Sequence, residues 1–221
     1  MRNVWVSWSG GKDAAVALAA ARASGLRVTG LLGTETDTGA GTAGIPVHGV
    51  PHALVAAQAE ALGLGLHTVT LPVPCPNEVY TARVRSALAA ATGVTRLVCG
   101  DIALADVRAF REALLAGTGI AGHFPLWGRD TAALARETVD GPLRAVVVAV
   151  DPAQVPPELV GRPFDAGFLA DLPAGVDPCG ENGEFHTFVT GGPGFADDVP
   201  VTVTGTVERD GHVQAVLAPG R

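Results

Sequence analysis

The chain has 221 residues, 48% of them hydrophobic, with 15 Lys and Arg against 22 Asp and Glu and a formal net charge of -7. This length holds one large core, or a main domain of about 150 residues with a smaller companion. The acidic balance and the lack of a basic cluster argue against a nucleic-acid partner, whose phosphates need several Lys or Arg acting together.

No apolar run approaches the roughly 20 residues of a membrane span, and no basic region leads into a long apolar run as in a secretory leader. The cysteines, Cys75, Cys99 and Cys179, are odd in number and far apart, which suits neither a disulfide framework nor a structural zinc site. A soluble cytoplasmic protein with no membrane partner is expected, and the composition is compatible with a homo-oligomer.

Apolar β-rich runs at residues 4–6, 28–32, 66–71, 96–99 and 145–150 alternate with helical stretches at 13–23, 53–62, 77–91, 106–115 and 130–137. Such alternation predicts an α/β fold, a parallel sheet with helices on both faces. Asn77, Asp106 and Asp130 are expected N-caps. The stretch 34–51, rich in Gly and Thr, reads as a long loop beside the strands' carboxyl ends; His48 within it either enters a cleft or is a satisfied loop histidine. After Val150 the Pro-rich segment from Asp151 to Pro157 breaks the pattern, so domains at 1–150 and 151–221 are expected. The second ends in two strand-like runs, 199–207 and 212–217, joined at Asp210-Gly211, a hairpin signal.

Of the 15 basic residues, 14 are Arg, and the one Lys, Lys12, lies in Ser9-Gly10-Gly11-Lys12-Asp13 directly behind the first strand. A strand, a Gly-Gly turn and a helix start form an anion site: glycine admits close backbone approach, and the first helical N–H groups and the macrodipole favour negative charge. A compact ammonium suits a tight turn better than a guanidinium fork. The spacing is neither that of a P-loop nor that of a dinucleotide fingerprint.

This turn resembles the PP-loop of the ATP pyrophosphatases, usually Gly-Gly-x-Asp-Ser, with Ala14 here at the Ser position. The lost hydroxyl removes a hydrogen bond worth about 1.5 to 3 kcal/mol to a charged group. In that superfamily the turn holds the β- and γ-phosphates of ATP while the α-phosphate is transferred to a substrate oxygen. Three further segments resemble the diphthine-ammonia ligase-like branch: Gly100-Asp101-Ile102, Phe124-Pro125-Leu126-Trp127-Gly128-Arg129, and the eleven residues from Asp177 to Thr187.

The resemblance implies an ATP-dependent, amide-forming ligase that adenylates a carboxylate-bearing acceptor, releases pyrophosphate and transfers ammonia, with Mg2+. Ser9, Gly10, Gly11, Lys12, Asp13, Gly100 and Asp101 would bind nucleotide, Lys12 neutralising the departing pyrophosphate and Asp13 with Asp101 holding the metal. Gly180, Glu181, Asn182, Glu184 and His186 would form the acceptor side, with Glu181 and Glu184 orienting the acceptor or taking a proton from ammonia. Asn182 stands where the family pattern has Gly, and His186 where it has Glu, so the acceptor is left open while the nucleotide chemistry is intact.

Other readings stand beside these. Residues 124–127 form either an adenine-facing wall or core packing. Cys179 is a small apolar filler rather than a nucleophile. Arg108, Arg111 and Arg129 could meet phosphates, but Arg108 and Arg111, at i and i+3, equally suit a solvated helix face. Two alternatives to the ligase remain, an ATP- or AMP-binding regulatory module without turnover, raised by Ala14, and a PP-loop transferase acting on tRNA.

Overall fold

The computed structural model describes residues 3–36 and 49–220, so His48 and most of the expected long loop lie outside the described residues. The first unit is built from β1 (Asn3–Ser7), α1 (Lys12–Ala23), β2 (Val28–Thr36), α2 (His52–Ala61), β3 (Gly65–Leu71), α3 (Asn77–Ala90), β4 (Val94–Val98), α4 (Ala105–Leu115) and β5 (Ala121–His123). Its five strands form a sheet in the order β3-β2-β1-β4-β5, and every pairing is parallel.

Alternation along the central strands sends side chains into two separate cores. Val4, Val6, Leu31 and Val98 join one cluster with α1 and α2, while Trp5, Leu32, Leu97 and Cys99 join another with α3 and α4. A strand buried on both faces reads as a continuous apolar run, which is why these runs were visible in the sequence. The expected α/β sheet with helices on both faces is therefore present.

The second unit contains α5 (Thr131–Asp140), β6 (Arg144–Val150), α6 (Ala166–Asp171), β7 (Phe185–Gly191), β8 (Val201–Arg209) and β9 (His212–Pro219). Its antiparallel sheet has the order β7-β6-β9-β8. Here the strand expectation needs correction, because the run at 145–150 is not in the parallel sheet but pairs antiparallel with β7 and β9. Val147, Val148, Ala149 and Val150 are all fully buried, and an apolar run does not reveal which sheet will bury it. The fifth parallel position goes instead to β5, three residues long and too short to show a period.

Cap expectations are mixed. Asp130 caps α5, its side chain accepting from Ala133 N, but Pro76 and Leu104 occupy the cap positions of α3 and α4. Asn77 begins its helix, and Asp106 sits in the first turn, where the macrodipole favours a carboxylate. Asp210 and Gly211 adopt φ of 52° and 79°, the left-handed pair that a two-residue hairpin turn demands.

One buried amide joins the two sheets. Gln58 of α2, 0% exposed, accepts from the Trp8 indole at 3.0 Å and donates to the carbonyls of Gly10 at 3.0 Å and Val189 at 2.6 Å. Replacing it by Leu removes three hydrogen bonds to buried polar groups, and a buried group left unsatisfied, such as the Trp8 indole N–H, costs about 1 to 3 kcal/mol. Gln58→Leu is expected to lower stability by at least about 2 kcal/mol, measured as a shift in the urea midpoint; a shift below about 0.5 kcal/mol would show that the bridge is dispensable.

Candidate active site

Strand order reverses at β1: the chain moves outward from it through β2 to β3, then crosses back over to β4 and β5 on the other side. Ligands of open α/β sheets gather outside the carboxyl ends of the strands at such a switch point. A cleft of about 240 Å³ opens there, lined by Ser7, Trp8, Ser9, Asp13, Ala14, Leu32, Thr34, Tyr80, Gly100, Asp101, Arg111 and Glu181.

The glycine turn is held from behind by β7. Gly10 has φ of 79°, a left-handed conformation that favours glycine, and a Cβ on it would lie 2.9 Å from Gln58 Oε1. Its carbonyl accepts from Val189 N at 2.9 Å. Gly11 is the N-cap of α1, and its N–H donates to Ser9 Oγ at 3.3 Å. Lys12 N donates to Thr187 Oγ1 at 3.0 Å, so one of the helix-opening amides already has a partner. Those of Asp13 and Ala14 come next in the open first turn.

Gly100 faces that turn. A Cβ there would approach Asp13 C and O at 2.9 Å and Ala14 N at 3.1 Å. The end of β4 can therefore lie against the start of α1 only with glycine at this position.

Lys12 is placed differently from expectation. It is 3% exposed, and its ammonium does not line the cleft. Nζ donates to Asp13 Oδ2 at 2.9 Å and closely to the Cys179 carbonyl, and lies 5.5 and 5.3 Å from the ring centroids of Phe164 and Phe185. The ammonium links the turn to the C-terminal motif rather than pointing outward.

The cation on the cleft wall is Arg111, which by sequence suited either a phosphate contact or a solvated helix face. It stands three and four positions before the buried Leu114 and Leu115, the spacing that marks the inward face of a helix, and that was the available signal. Its Nε donates to Asp101 Oδ1 at 3.1 Å and lies 2.8 Å from Oδ2. Because Nε carries one hydrogen, Oδ2 keeps Coulombic contact but is a buried acceptor without a hydrogen bond. Tyr80 of α3, also overlooked, lines the same wall. Arg108 instead covers Phe124 and Trp127 at 4.8 and 4.7 Å, and Arg129 pairs with Glu137. Of residues 124–127, none lines the cleft, and Leu126 is buried in the core.

The C-terminal motif divides in two. Glu181 reaches the cleft, and its Oε1 accepts from Ile102 N at 2.8 Å and Ala103 N at 2.9 Å, fastening this segment to the loop after β4. Glu184 is buried and accepts from Asp177 N, Asn182 N and Asn182 Nδ2 at 3.1, 2.9 and 3.1 Å. Burial pushes its carboxyl up, but the hydrogen bonds from Asn182 and from backbone amides outweigh this and hold it below its usual value. Glu184 and Asn182 thus brace the loop, and Gly180, with φ of 68°, supplies its turn. Burial pushes the Cys179 thiol up to about 12, and its Sγ donates to the Thr131 carbonyl at 3.3 Å. A neutral, occupied thiol is a packing group.

The donor set suits magnesium. Among the described residues that line the cleft, Asp13, Asp101 and Glu181 carry negative charge and only Arg111 carries positive charge. A polyphosphate would therefore need an accompanying cation. Mg2+ typically takes one or two carboxylates and completes its shell with phosphates and water, which fits Asp13 and the unsatisfied Oδ2 of Asp101. Among the described residues no group of three or more His, Cys, Asp or Glu forms a metal cage.

His186 lies on β7 beside His212, with ring centroids 5.8 Å apart. Burial, then the His212 and Lys12 charges, lower its pKa to about 4 from 6.5. The folded protein therefore binds fewer protons than the unfolded chain between these values, and stability falls as pH drops from 6.5 to 4. Wild-type urea midpoints are expected to fall across that window and those of His186→Gln to fall less; equal slopes would refute the linkage.

The chain matches, in order, the diphthamide synthase N-terminal domain over residues 1–120 and the diphthamide synthase C-terminal domain over residues 130–215. Among solved structures it is similar to a predicted subunit of tRNA methyltransferase from Methanocaldococcus jannaschii. The identity is 19%, with 65% of this chain and 77% of that chain covered at a TM-score of 0.46. Comparison with curated proteins gave no match. With both family domains spanning nearly its whole length, the chain belongs to the diphthamide synthase family, enzymes of the PP-loop ATP pyrophosphatase type.

Proposed function

We propose that this protein is an ATP-dependent ligase that joins a carboxylate-bearing acceptor to ammonia. The observation that carries this reading is the meeting of three distant segments in one cleft: the turn at Ser9 and Asp13, the strand end at Gly100 and Asp101, and Glu181 from the C-terminal motif. A ligase of this type needs nucleotide and acceptor on facing walls, so that the acceptor oxygen reaches the α-phosphorus. No helix among the described residues is long and apolar enough to cross a membrane, and Cys75, Cys99 and Cys179 are unpaired. Both suit work in a reducing cytoplasm.

In the proposed reaction an acceptor carboxylate oxygen bonds to the α-phosphorus. The bond from that phosphorus to the bridging oxygen breaks, and pyrophosphate leaves with the electron pair. Ammonia then attacks the acyl carbon, AMP departs, and the nitrogen loses a proton. Magnesium, held by Asp13 and Asp101, would neutralise phosphate charge. The α1 amides of Asp13 and Ala14 face developing negative charge with fixed dipoles, where preorganised donors contribute most.

Glu181 orients the acceptor side and stands ready to take the ammonia proton. Glu184 acts through the loop, holding Asn182 and its neighbours in place. Lys12 ties Asp13 to the Cys179 carbonyl, so that nucleotide and acceptor walls keep one spacing.

Pyrophosphate release from Mg-ATP should require a carboxylate, and its continued turnover should require ammonium as well, with diphthine-bearing protein among the acceptors assayed. Asp13→Asn and Asp101→Asn are each expected to slow it about 100-fold. ATP binding without pyrophosphate release from any carboxylate would replace the ligase by a regulatory nucleotide-binding module.

A further inference from the structure

We propose that Arg111 is a phosphate-binding residue of the cleft, its guanidinium taking an oxyanion of the bound nucleotide through Nη1 and Nη2. This rests on the reading of the cleft as an ATP site and assigns within it a residue that no motif marks.

Among the described residues that line the cleft, Arg111 is the only basic side chain. Lys12, the cation that the glycine turn offers, is directed to the Cys179 carbonyl and Asp13 and lies between two phenylalanine rings. Among the described residues, a phosphate in the cleft therefore meets one side-chain cation, and it is a guanidinium.

That guanidinium has unused donors. It carries five N–H groups, and among the described residues it donates one hydrogen bond, from Nε to Asp101 Oδ1 at 3.1 Å. The remaining four belong to Nη1 and Nη2. Asp101 engages the Nε side of the group, which leaves the terminal pair as the edge available to a second anion. Two parallel N–H donors match two oxygens of a phosphate, a geometry that Lys cannot reproduce.

Asp101 also fixes the direction in which the fork points. Its side chain is 10% exposed and that of Arg111 is 26% exposed, so the pair is held in the wall rather than waving in solvent. Holding the guanidinium by Nε restricts its rotation before the ligand arrives, and less freedom is lost on binding. Ser7, Ser9 and Thr34 line the same cleft and add neutral hydroxyl donors.

The test is calorimetric titration with Mg-ATP, AMP, pyrophosphate and acetate, on wild type, Arg111→Gln, Arg111→Lys and the double variant Asp101→Asn/Arg111→Gln. The double variant removes both charges, so it leaves no buried carboxylate without its partner. Arg111→Gln and the double variant are each expected to weaken ATP binding roughly 10- to 100-fold, together with AMP or pyrophosphate. Arg111→Lys should recover only part of the loss.

A second measurement uses wild-type protein alone: ATP should protect Arg111 from phenylglyoxal, read by mass spectrometry. Wild-type affinity in both Gln-containing variants, full affinity in Arg111→Lys, unprotected Arg111 in the presence of saturating ATP, or a loss confined to acetate would each overturn the assignment. Wild-type protein that binds no ATP would overturn the ligase reading as well, so the two failures are distinct.

Discussion

The site depends on the seating of one glycine turn against a strand of the other sheet. Gly10 offers its carbonyl to Val189 N and to Gln58 Nε2, and Lys12 N donates to Thr187 Oγ1. A turn with a left-handed glycine has many conformations available in isolation. Here both neighbouring strand residues and a buried amide specify one of them. The cost of leaving any of these buried groups unpaired is what makes the seat rigid.

Two consequences follow for the cleft. Seating the turn on β7 places the residues after Phe185 behind the glycine turn, and the residues before it come round the edge to bring Glu181 onto Ile102 and Ala103. The Glu181 segment is therefore covalently continuous with the strand that holds the turn. The same arrangement draws the Lys12 ammonium inward, because the Cys179 carbonyl, Asp13 and two aromatic rings offer a buried cation more than the open cleft does. A motif lysine thereby serves the joint between the sheets, and the cleft is left with a guanidinium from α4.

Much of this was legible in the sequence because it is local. Strand runs show as apolar blocks, most plainly where both faces are buried as in β1 and β2, and four of the five seen belong to the parallel sheet. The Asp-Gly hairpin was readable from the φ preferences of two residues. Asp13, Gly100, Asp101 and Glu181 were found because each sits in a short motif, and all four line one cleft. What escaped depends on partners far along the chain. Gln58 looks like any polar residue in an Ala-rich helix, yet it is buried between elements 48 and 131 positions away. Arg111 and Tyr80 lie on helices where a charged or aromatic residue has ordinary explanations.

By itself the sequence determined the class of fold, the order of the elements from β1 to α4, the glycine turn and the acidic residues that line the cleft. Periodicity and φ preference act within a few residues, and that range is enough for such features. Only the tertiary structure decided which sheet takes the run at 145–150, which way Lys12 points and which cation reaches the cleft. Those outcomes compare burial and pairing among groups that chain folding brings together, and no local pattern carries that comparison.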